Sequence, residues 1–479
     1  MKSESLKNLL SAILAIAVTT FLFTIKMNPS LFSKKTPGSY EFVRKGEALL
    51  DRGKYKDSVG YFEKAYESSP EEEVIKSDLA YSYSKYGMTL AESKYYSAAI
   101  EYFSKAYNLL PNSNTRQNLA IMYAKKALDE ARNGDSVKAI EDFREARSVA
   151  SGSNYASKNL GISIFNDAVD EYKAGKEQIA ILCLKEAMLT YESSRVLEFL
   201  GDIYYKRAAL ENASFCWEKA GDLDPSSETL PAKLEKLGKE MELAKTEDEK
   251  QLPHFELRYG RNLPIDPELA GEVLEKAYLD VGKDLAYFPA AKTVIFFYSE
   301  KDFRNIFKLP KMVTAFYDGN IRMPFPEKAG NRNEFIHYIY HEYTHAVVSA
   351  KTNNNCPVWF SEGVAVWEEF KRQDPAMKSL LASTAYNPGI SIQAIEDAFA
   401  RQGSGNKDMR PYYLMAYSIV KFIVDTWGVE GLQGVLTRIG RGQHIVNAID
   451  DEILLSEKDF DKRWGDYLKS KYFSNGRAD

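Results

Sequence analysis

The stretch His341-Glu342-Tyr343-Thr344-His345 decides how the C-terminal half of the chain is interpreted, since this protein contains only five histidines. No glycine or proline occurs from residue 332 to residue 356, so the stretch is predicted to lie in an α-helix. Residues four apart face the same side of a helix, which brings the two imidazoles together. Zinc readily accepts neutral imidazole, and the stretch therefore predicts a zinc-binding helix.

Two neighbours of these ligands have different predicted roles. Glu342 follows the first ligand, and at such sites the glutamate is the general base that takes a proton from water. His337 lies one further step of four residues upstream, about 12 Å from His345 along a helix that rises 1.5 Å per residue. One ion cannot bind both, so we expect His337 to be a neighbour of the site. The alternative is a chance match on an ordinary amphipathic helix.

A catalytic zinc ion needs a third protein ligand, and the next segment offers one. Residues 351–357 are rich in turn residues and end in a proline that suits the start of a second helix. Glu362 lies near the start of that helix, seventeen residues after His345. Two antiparallel helices would bring Glu362 against the histidines. Glu368 and Glu369 are alternative ligands, and a solvated carboxylate at the helix start is the alternative role for Glu362.

This arrangement resembles that of the gluzincins, the zinc peptidases whose third ligand is a glutamate. The W-x-x-E-G-x-A pattern around Glu362 is similar to that of the aminopeptidase N branch and of related peptidase MA-like domains. The resemblance implies one Zn²⁺ per chain, held by His341, His345 and Glu362, with Glu342 as the base. It also implies a thermolysin-like α+β peptidase domain, which we assign to residues 253–475.

The same resemblance implies where the donor to the oxyanion lies. In the aminopeptidase-like branch this donor is a tyrosine of a later helix, in a Y-x-x-G/A context. Tyr413 matches that context, with Ala416 three residues later. Tyr417, one turn on, is the alternative donor. An ordinary packing role is a further alternative for Tyr413, because the chain has 31 tyrosines.

The segment before the zinc helix is predicted to form the sheet of this domain. Residues 293–298 are β-branched and aromatic, which favours a buried strand. Asp318-Gly319 separates two short segments, residues 314–317 and 320–323, and predicts a hairpin. An edge strand beside the site can bind an extended peptide, although an ordinary hairpin fits equally well. The G-x-M-E-N exopeptidase motif of aminopeptidase N is missing, which favours cleavage of internal peptide bonds.

The N-terminal half is predicted to be a different structure, an α-solenoid. Small residues recur at fixed positions and would let paired helices approach closely, which resembles the tetratricopeptide repeat. Gly46 to Ala65 and Gly201 to Ala220 are both 19 residues apart, whereas the three middle repeats have a spacing of 26. The extra length is close to two helical turns. We therefore predict five repeats over residues 36–229, which would hold a protein partner or act as a spacer.

Two further segments flank the repeats. Residues 230–252 are rich in lysine and glutamate with leucine at helical intervals, which predicts a capping helix and linker. Residues 1–35 contain an uncharged run at positions 9–25, which predicts a single-pass membrane anchor. Lysines on both sides of the run leave its orientation open. We expect the body to be extracytoplasmic, in a bacterial envelope.

Composition excludes other classes of function. The net charge of −5 gives no electrostatic footprint for nucleic acid. Three scattered cysteines provide neither a disulfide framework nor a cysteine zinc site. The fold class that results is mainly α, a tetratricopeptide α-solenoid followed by an α+β zinc peptidase domain.

Three hypotheses for function follow. The first is a membrane-anchored zinc peptidase whose protein or peptide substrates are recruited by the repeats. The second is an envelope scaffold, in which the repeats bind partners and the zinc domain is inactive. Retention of Glu342 argues against the scaffold, since a purely structural zinc site needs no base. The third is a zinc hydrolase that acts on a non-peptide amide or ester.

Overall fold

The computed structural model describes residues 37–309, 313, 315–325, 332–371, 391–401 and 409–473. Over these residues the protein is mainly α-helical, with nineteen α-helices and one five-stranded sheet. The chain divides into two compact units, Met1–Ser163 and Ile164–Asp479.

Three pairs of helices make up most of the first unit, and each helix packs against the next. They are α1 (Pro37–Leu50), α2 (Tyr55–Ser68), α3 (Glu73–Glu92), α4 (Tyr96–Leu109), α5 (Ser113–Arg132) and α6 (Ser136–Ala150). The helix α7 (Asn154–Lys173) begins in the first unit and ends in the second. In the second unit there follow α8 (Glu177–Thr190), α9 (Ser194–Lys206), α10 (Leu210–Leu223) and α11 (Leu230–Ala244).

Small side chains explain why these helices pair so closely. Ten small residues that recur at equivalent positions of the predicted repeats are fully buried: Ser58, Ala65, Ala99, Ala106, Ala139, Ala146, Ala180, Ala187, Ala213 and Ala220. At Gly201 a Cβ would lie 2.5 Å from Cδ1 of Trp217, so only glycine fits there. The helices α3, α5 and α7 each have 20 residues, whereas α1 has 14 and α9 has 13. This difference of about two turns accounts for the longer spacing of the middle repeats.

The segment predicted as a capping helix and linker is only partly helical. The helix α11 ends at Ala244, and Glu247–Gln251 forms the strand β1 instead. All five of its residues are polar or charged, and β1 lies at one edge of the sheet with β2 as its neighbour. A sequence without an apolar face carries no periodic signal for a strand. Pairing with β2 therefore overrides the local preference here.

The sheet has the order β1-β2-β3-β5-β4, and its remaining strands are β2 (Phe255–Gly260), β3 (Thr293–Tyr298), β4 (Phe316–Tyr317) and β5 (Ile321–Pro324). The strands β2, β3 and β5 are parallel, whereas the edge strands β1 and β4 are antiparallel to their neighbours. The predicted buried strand is confirmed as β3. The predicted hairpin is confirmed as well, with Tyr317 opposite Ile321 and Gly319 at a φ of 112°.

Helices cover this sheet and complete the second unit. They are α12 (Pro267–Asp284), α13 (Glu300–Phe307), α14 (Arg332–Lys351), α15 (Val358–Phe370), α16 (Ile392–Ala400), α17 (Arg410–Gly440), α18 (Ile445–Ile453) and α19 (Glu457–Leu468), followed by one π-helical turn at Lys469–Phe473. One apolar core joins residues of the sheet with α12, α14, α15 and α17. The helix α17 is interrupted at Gly428, whose φ of 74° is not helical.

The expected membrane anchor at residues 9–25 lies outside the described residues. Within residues 37–309, 313, 315–325, 332–371, 391–401 and 409–473, no helix combines the length and the apolar character needed to cross a bilayer. The expectation of a single-pass, membrane-anchored location in a bacterial envelope is corrected accordingly.

Candidate metal centre

The two histidines lie on one face of α14, as their spacing predicts. Their Nε2 atoms are 3.3 Å apart. The opposite face of the helix is buried in the apolar core through Ile339, Tyr343 and Val347. Because the core fixes that face, the two imidazoles are held pointing to the same side.

The next helix, α15, brings the predicted third ligand to the histidines. It begins directly after Pro357, and its first turns present Glu362. The Oε2 atom of Glu362 lies 3.4 Å from Nε2 of His341 and 3.5 Å from Nε2 of His345. We call these three donor atoms the donor triangle. Among the described residues, the donor triangle is the group of histidine and carboxylate side chains that converges closely enough to hold a metal ion.

The dimensions of the donor triangle suit zinc. Four ligands placed tetrahedrally at 2.0–2.1 Å around one ion are about 3.3–3.4 Å from each other. The three observed separations of 3.3, 3.4 and 3.5 Å are close to that value. Two imidazole nitrogens and one carboxylate oxygen are also the donor types of catalytic zinc sites, which keep a fourth position for water or substrate.

A close contact between α15 and α17 fixes the position of Glu362. A Cβ at Gly363 would lie 2.6 Å from the carbonyl oxygen of Ala416 in α17. Only glycine permits this approach, so the backbone of α15 rests directly on the backbone of α17 beside Glu362. The glycine of the W-x-x-E-G-x-A pattern is therefore explained by packing.

Two further side chains orient the histidines, a role that the sequence does not reveal. The Nδ1 atom of His341 is 3.0 Å from Oε2 of Glu369, and Nδ1 of His345 is 2.8 Å from Oγ of Ser361. Such contacts leave each Nε2 free to act as a ligand. From the sequence, Glu369 is only an alternative third ligand. Its spacing of seven residues from Glu362, two helical turns, is the signal that places it on the same face.

Glu342 lies beside the donor triangle, and its carboxylate is buried. It is 6 % exposed, and its Oε2 atom has no hydrogen-bond partner among the described residues. Burial raises the pKa of Glu342, although the neighbouring His341 and His345 act in the opposite direction. A buried carboxylate with an oxygen left over is suited to accept a proton from a bound molecule.

The carboxylate and the imidazoles of the donor triangle stabilise each other's charged forms. Burial alone would raise the pKa of Glu362, but hydrogen bonds from His341 and His345 hold it well below its usual range. Burial would lower the pKa of His341, but its bonds to Glu362 and Glu369 raise that pKa well above the usual value. These carboxylates favour positive charge at the centre of the site, and a divalent cation would supply it.

Tyr413 and His337 lie near the ends of their helices. Tyr413 is half-buried in the first turn of α17, with its ring 5.1 Å from that of Phe399. Ala416, three residues after Tyr413 in the same helix, is the residue that contacts Gly363. The ring of His337 packs against Phe370 at 5.6 Å, at the far end of α15 from Glu362. His337 is a neighbour of the site, in agreement with the expectation.

Comparison with protein families identifies the domain. Residues 329–470, just under a third of the chain, match the family described as Peptidase MA superfamily. The match begins before α14 and ends in the turn that follows α19, so it includes the donor triangle. The chain thus combines tetratricopeptide-like helix pairs with a peptidase MA-like domain. No curated protein matches the chain.

Comparison with solved structures returned helical-repeat proteins. A thermophilic TPR protein of Thermus thermophilus, TTC0263, is 17 % identical, with 42 % of this chain and 98 % of that chain covered and a TM-score of 0.18. The P58(IPK) TPR domain is 13 % identical, with coverage of 92 % and 100 % and a TM-score of 0.20. Human IFIT1, as a dimer with m7Gppp-AAAA, is 13 % identical, with coverage of 88 % and 74 % and a TM-score of 0.19. TM-scores this low support no conclusion about the fold or the function of this chain.

Proposed function

We propose that this protein, whose residues 329–470 match the Peptidase MA superfamily, is a zinc-dependent peptidase of the gluzincin type. The observation that carries the proposal is the donor triangle, whose sides of 3.3–3.5 Å suit one tetrahedral ion. One Zn²⁺ per chain would be held by His341, His345 and Glu362. A bound zinc ion supplies a Lewis acid that lowers the pKa of water and polarises a carbonyl.

Each remaining residue of the site has a defined task in this proposal. Glu342 takes a proton from the attacking water and passes it to the leaving amine. Glu369 and Ser361 hold the imidazoles so that their Nε2 atoms converge. The apolar packing around α14 excludes bulk water from the buried side of the site, which strengthens the electrostatic interactions there.

Tyr413 is proposed as the donor to the oxyanion that develops on the attacked carbonyl. Two observations support this role. Tyr413 lies on the helix whose backbone touches α15 next to Glu362, and its position matches the Y-x-x-A context of the resembling family. We expect Tyr413→Phe to lower kcat with little change in zinc content, which zinc analysis beside a cleavage assay would measure.

The proposed substrate is an extended peptide or an unfolded segment of a protein. The strand β4 is at the edge of the sheet and packs against α14, the helix that carries both histidines. An extended chain could pair with such an edge and present successive peptide bonds to the site. The helical repeats would hold a protein partner or the substrate itself. We propose no role in nucleic-acid binding, because the net charge is −5.

Zinc stoichiometry and cleavage, measured together on the full chain, test the proposal. We expect about one zinc per chain in the unmutated protein and in Glu342→Gln, and a marked loss of zinc in Glu362→Ala. Unfolded casein should be cleaved at internal bonds by the unmutated protein alone. A chain that binds zinc but cleaves neither casein nor a panel of peptides would refute peptidase activity. A chain that binds no zinc would favour the scaffold hypothesis.

A further inference from the structure

The hairpin formed by β4 and β5 is in contact with the zinc-site helix on one side. The strand β4 packs against α14, and Tyr317 of β4 packs against the apolar core to which Val347 and Val348 of that helix belong. Val348 lies one helical turn after His345. The position of the edge strand is therefore linked to the helix that carries the donor triangle.

The turn of this hairpin is supported from the other side by α9, the first helix of the fifth predicted repeat. The Nδ2 atom of Asn320 donates to the backbone oxygen of Tyr205 over 3.4 Å. A Cβ at Gly319 would lie 2.9 Å from Cβ of Lys206 and 3.1 Å from the Lys206 carbonyl oxygen. Because Gly319 also has a φ of 112°, no other residue fits this turn without strain.

A buried guanidinium connects the hairpin with β3 and with the helices α9 and α11. Arg322 of β5 is completely buried, and it donates to Glu240 of α11, to Oδ2 of Asp318 at 3.0 Å and to the hydroxyl of Tyr298 at 2.8 Å. The hydroxyl of Tyr205 in α9 donates to the other oxygen of Glu240. We call these five residues the Arg322 cluster.

The geometry of the Arg322 cluster depends on arginine. Its guanidinium carries donors in a planar fork, and these reach partners on β3, on α11 and in the β4–β5 turn at once. The guanidinium carbon of Arg322 also lies 4.7 Å from the ring centre of Tyr205. Lysine has a single charged nitrogen and cannot make this set of contacts. A buried charge network is a weak source of stability, and the best-attested use of such a network is to fix one arrangement.

We propose that Arg322 is a positioning residue for substrate binding. Held by Glu240 of the capping helix and by Tyr205 of the last helix pair, it fixes the β4–β5 hairpin and so the edge along which substrate extends beside α14. This inference rests on the proposed peptidase function. It makes the end of the repeat array a working part of the substrate site, beyond a role in recruitment.

Two substitutions on the same helix test the inference in the full chain. Glu240→Gln removes the buried charge opposite Arg322 and keeps the shape of the side chain. Glu235→Gln is the matched control, because Glu235 pairs with Lys308 at the surface, where the two side chains are 52 % and 65 % exposed. The substrate is an internally quenched peptide that contains a cleavage site found in unfolded casein.

The expected result separates binding from chemistry. Glu240→Gln should raise KM about tenfold, with kcat within about twofold and zinc content unchanged, because substrate binding is lost while the reacting groups stay in place. Glu235→Gln should behave as the unmutated protein. An equal KM in the two variants, with cleavage intact, would overturn the inference and leave the proposed function standing. An unmutated protein that cleaves nothing would overturn both.

A second variant keeps the test informative if Glu240→Gln folds poorly. Tyr205→Phe removes one hydrogen bond of the Arg322 cluster and retains the aromatic ring. Hydrogen exchange over residues 315–325 should be faster in this variant, with exchange over α14 unchanged and KM raised. Unchanged exchange, or faster exchange with an unchanged KM, would contradict a positioning role.

Discussion

The donor triangle and the Arg322 cluster are both buried groups of charged side chains, and they differ in what their carboxylates are left to bind. In the Arg322 cluster both oxygens of Glu240 accept a hydrogen bond, and so do both oxygens of Asp318. Beside the donor triangle, Oε2 of Glu342 is buried without a described partner. Carboxylate oxygens that converge on one point without a hydrogen-bond partner favour the binding of a cation and a catalytic role. Carboxylate oxygens that already accept hydrogen bonds favour one fixed arrangement of the side chains.

The largest effect is expected for Glu342, whose buried Oε2 atom has no described hydrogen-bond partner. Glu342→Gln should lower kcat by about 10²–10⁴-fold, the usual contribution of a general base, with zinc content unchanged. Rates of peptide cleavage and zinc analysis on the same preparation would measure this split. Glu268→Gln, an exposed carboxylate of α12, is a control that should change neither value. Loss of zinc in Glu342→Gln would contradict the assigned role.

The second effect concerns stability and should appear only in the Arg322 cluster. Arg322→Met leaves the carboxylates of Glu240 and Asp318 without their counterion and should lower the free energy of unfolding by about 3–5 kcal/mol. The double variant Arg322→Met/Glu240→Leu should recover much of this loss. Denaturant unfolding would measure both. A double variant no more stable than the single one would show that packing, not unpaired charge, causes the loss.

A smaller effect is expected where a carboxylate supports a ligand. Glu369→Gln weakens the contact to Nδ1 of His341 and should lower zinc affinity about 10–100-fold. Ser361→Ala should have the smaller effect, because its hydroxyl is a neutral partner of His345. Competition with a coloured chelator would give both affinities. Equal effects would show that charge at Glu369 is unimportant.

The smallest effect depends on pH and arises beside the Arg322 cluster. Burial raises the pKa of Glu247 to about 7 from 4.5, so the folded protein binds this proton more tightly than the unfolded chain. Its stabilising contribution is present below about pH 4.5 and is lost as pH rises through 7. Glu247→Gln should therefore stabilise the protein at pH 8 by about 1–2 kcal/mol, a figure reduced for the partial exposure of the side chain.

Unfolding midpoints at pH 4 and pH 8 would check this prediction. Glu249→Gln, at an exposed position of the same strand, should leave stability within about 0.5 kcal/mol at both values. An equal gain at pH 4 and pH 8 would show that the charge of Glu247 is not the cause.

The donor triangle could be predicted from the sequence because its signal is local. Helical spacing places His341 and His345 together, and a short turn returns the chain to Glu362. The Asp318-Gly319 hairpin and β3 were predictable for the same reason, since turn chemistry and β-branched residues act over a few positions.

The Arg322 cluster could not be predicted, because its partners are distant in the chain and share no pattern. Glu240 is 82 residues from Arg322, and in the sequence each resembles an ordinary exposed charge. The strand β1 was missed because its polar residues are ordered by pairing with β2 alone. The predicted anchor lies outside the described residues, and the single-pass location was wrong.

The contact at Gly363 has a mechanical consequence. Because two backbones touch there without an intervening side chain, nothing compressible separates α15 from α17. A displacement of α17 would therefore move Glu362 as well. The added methyl group of Gly363→Ala would push α15 and α17 apart. In the proposed zinc site, the affinity for the metal is therefore adjustable from a position that donates no ligand.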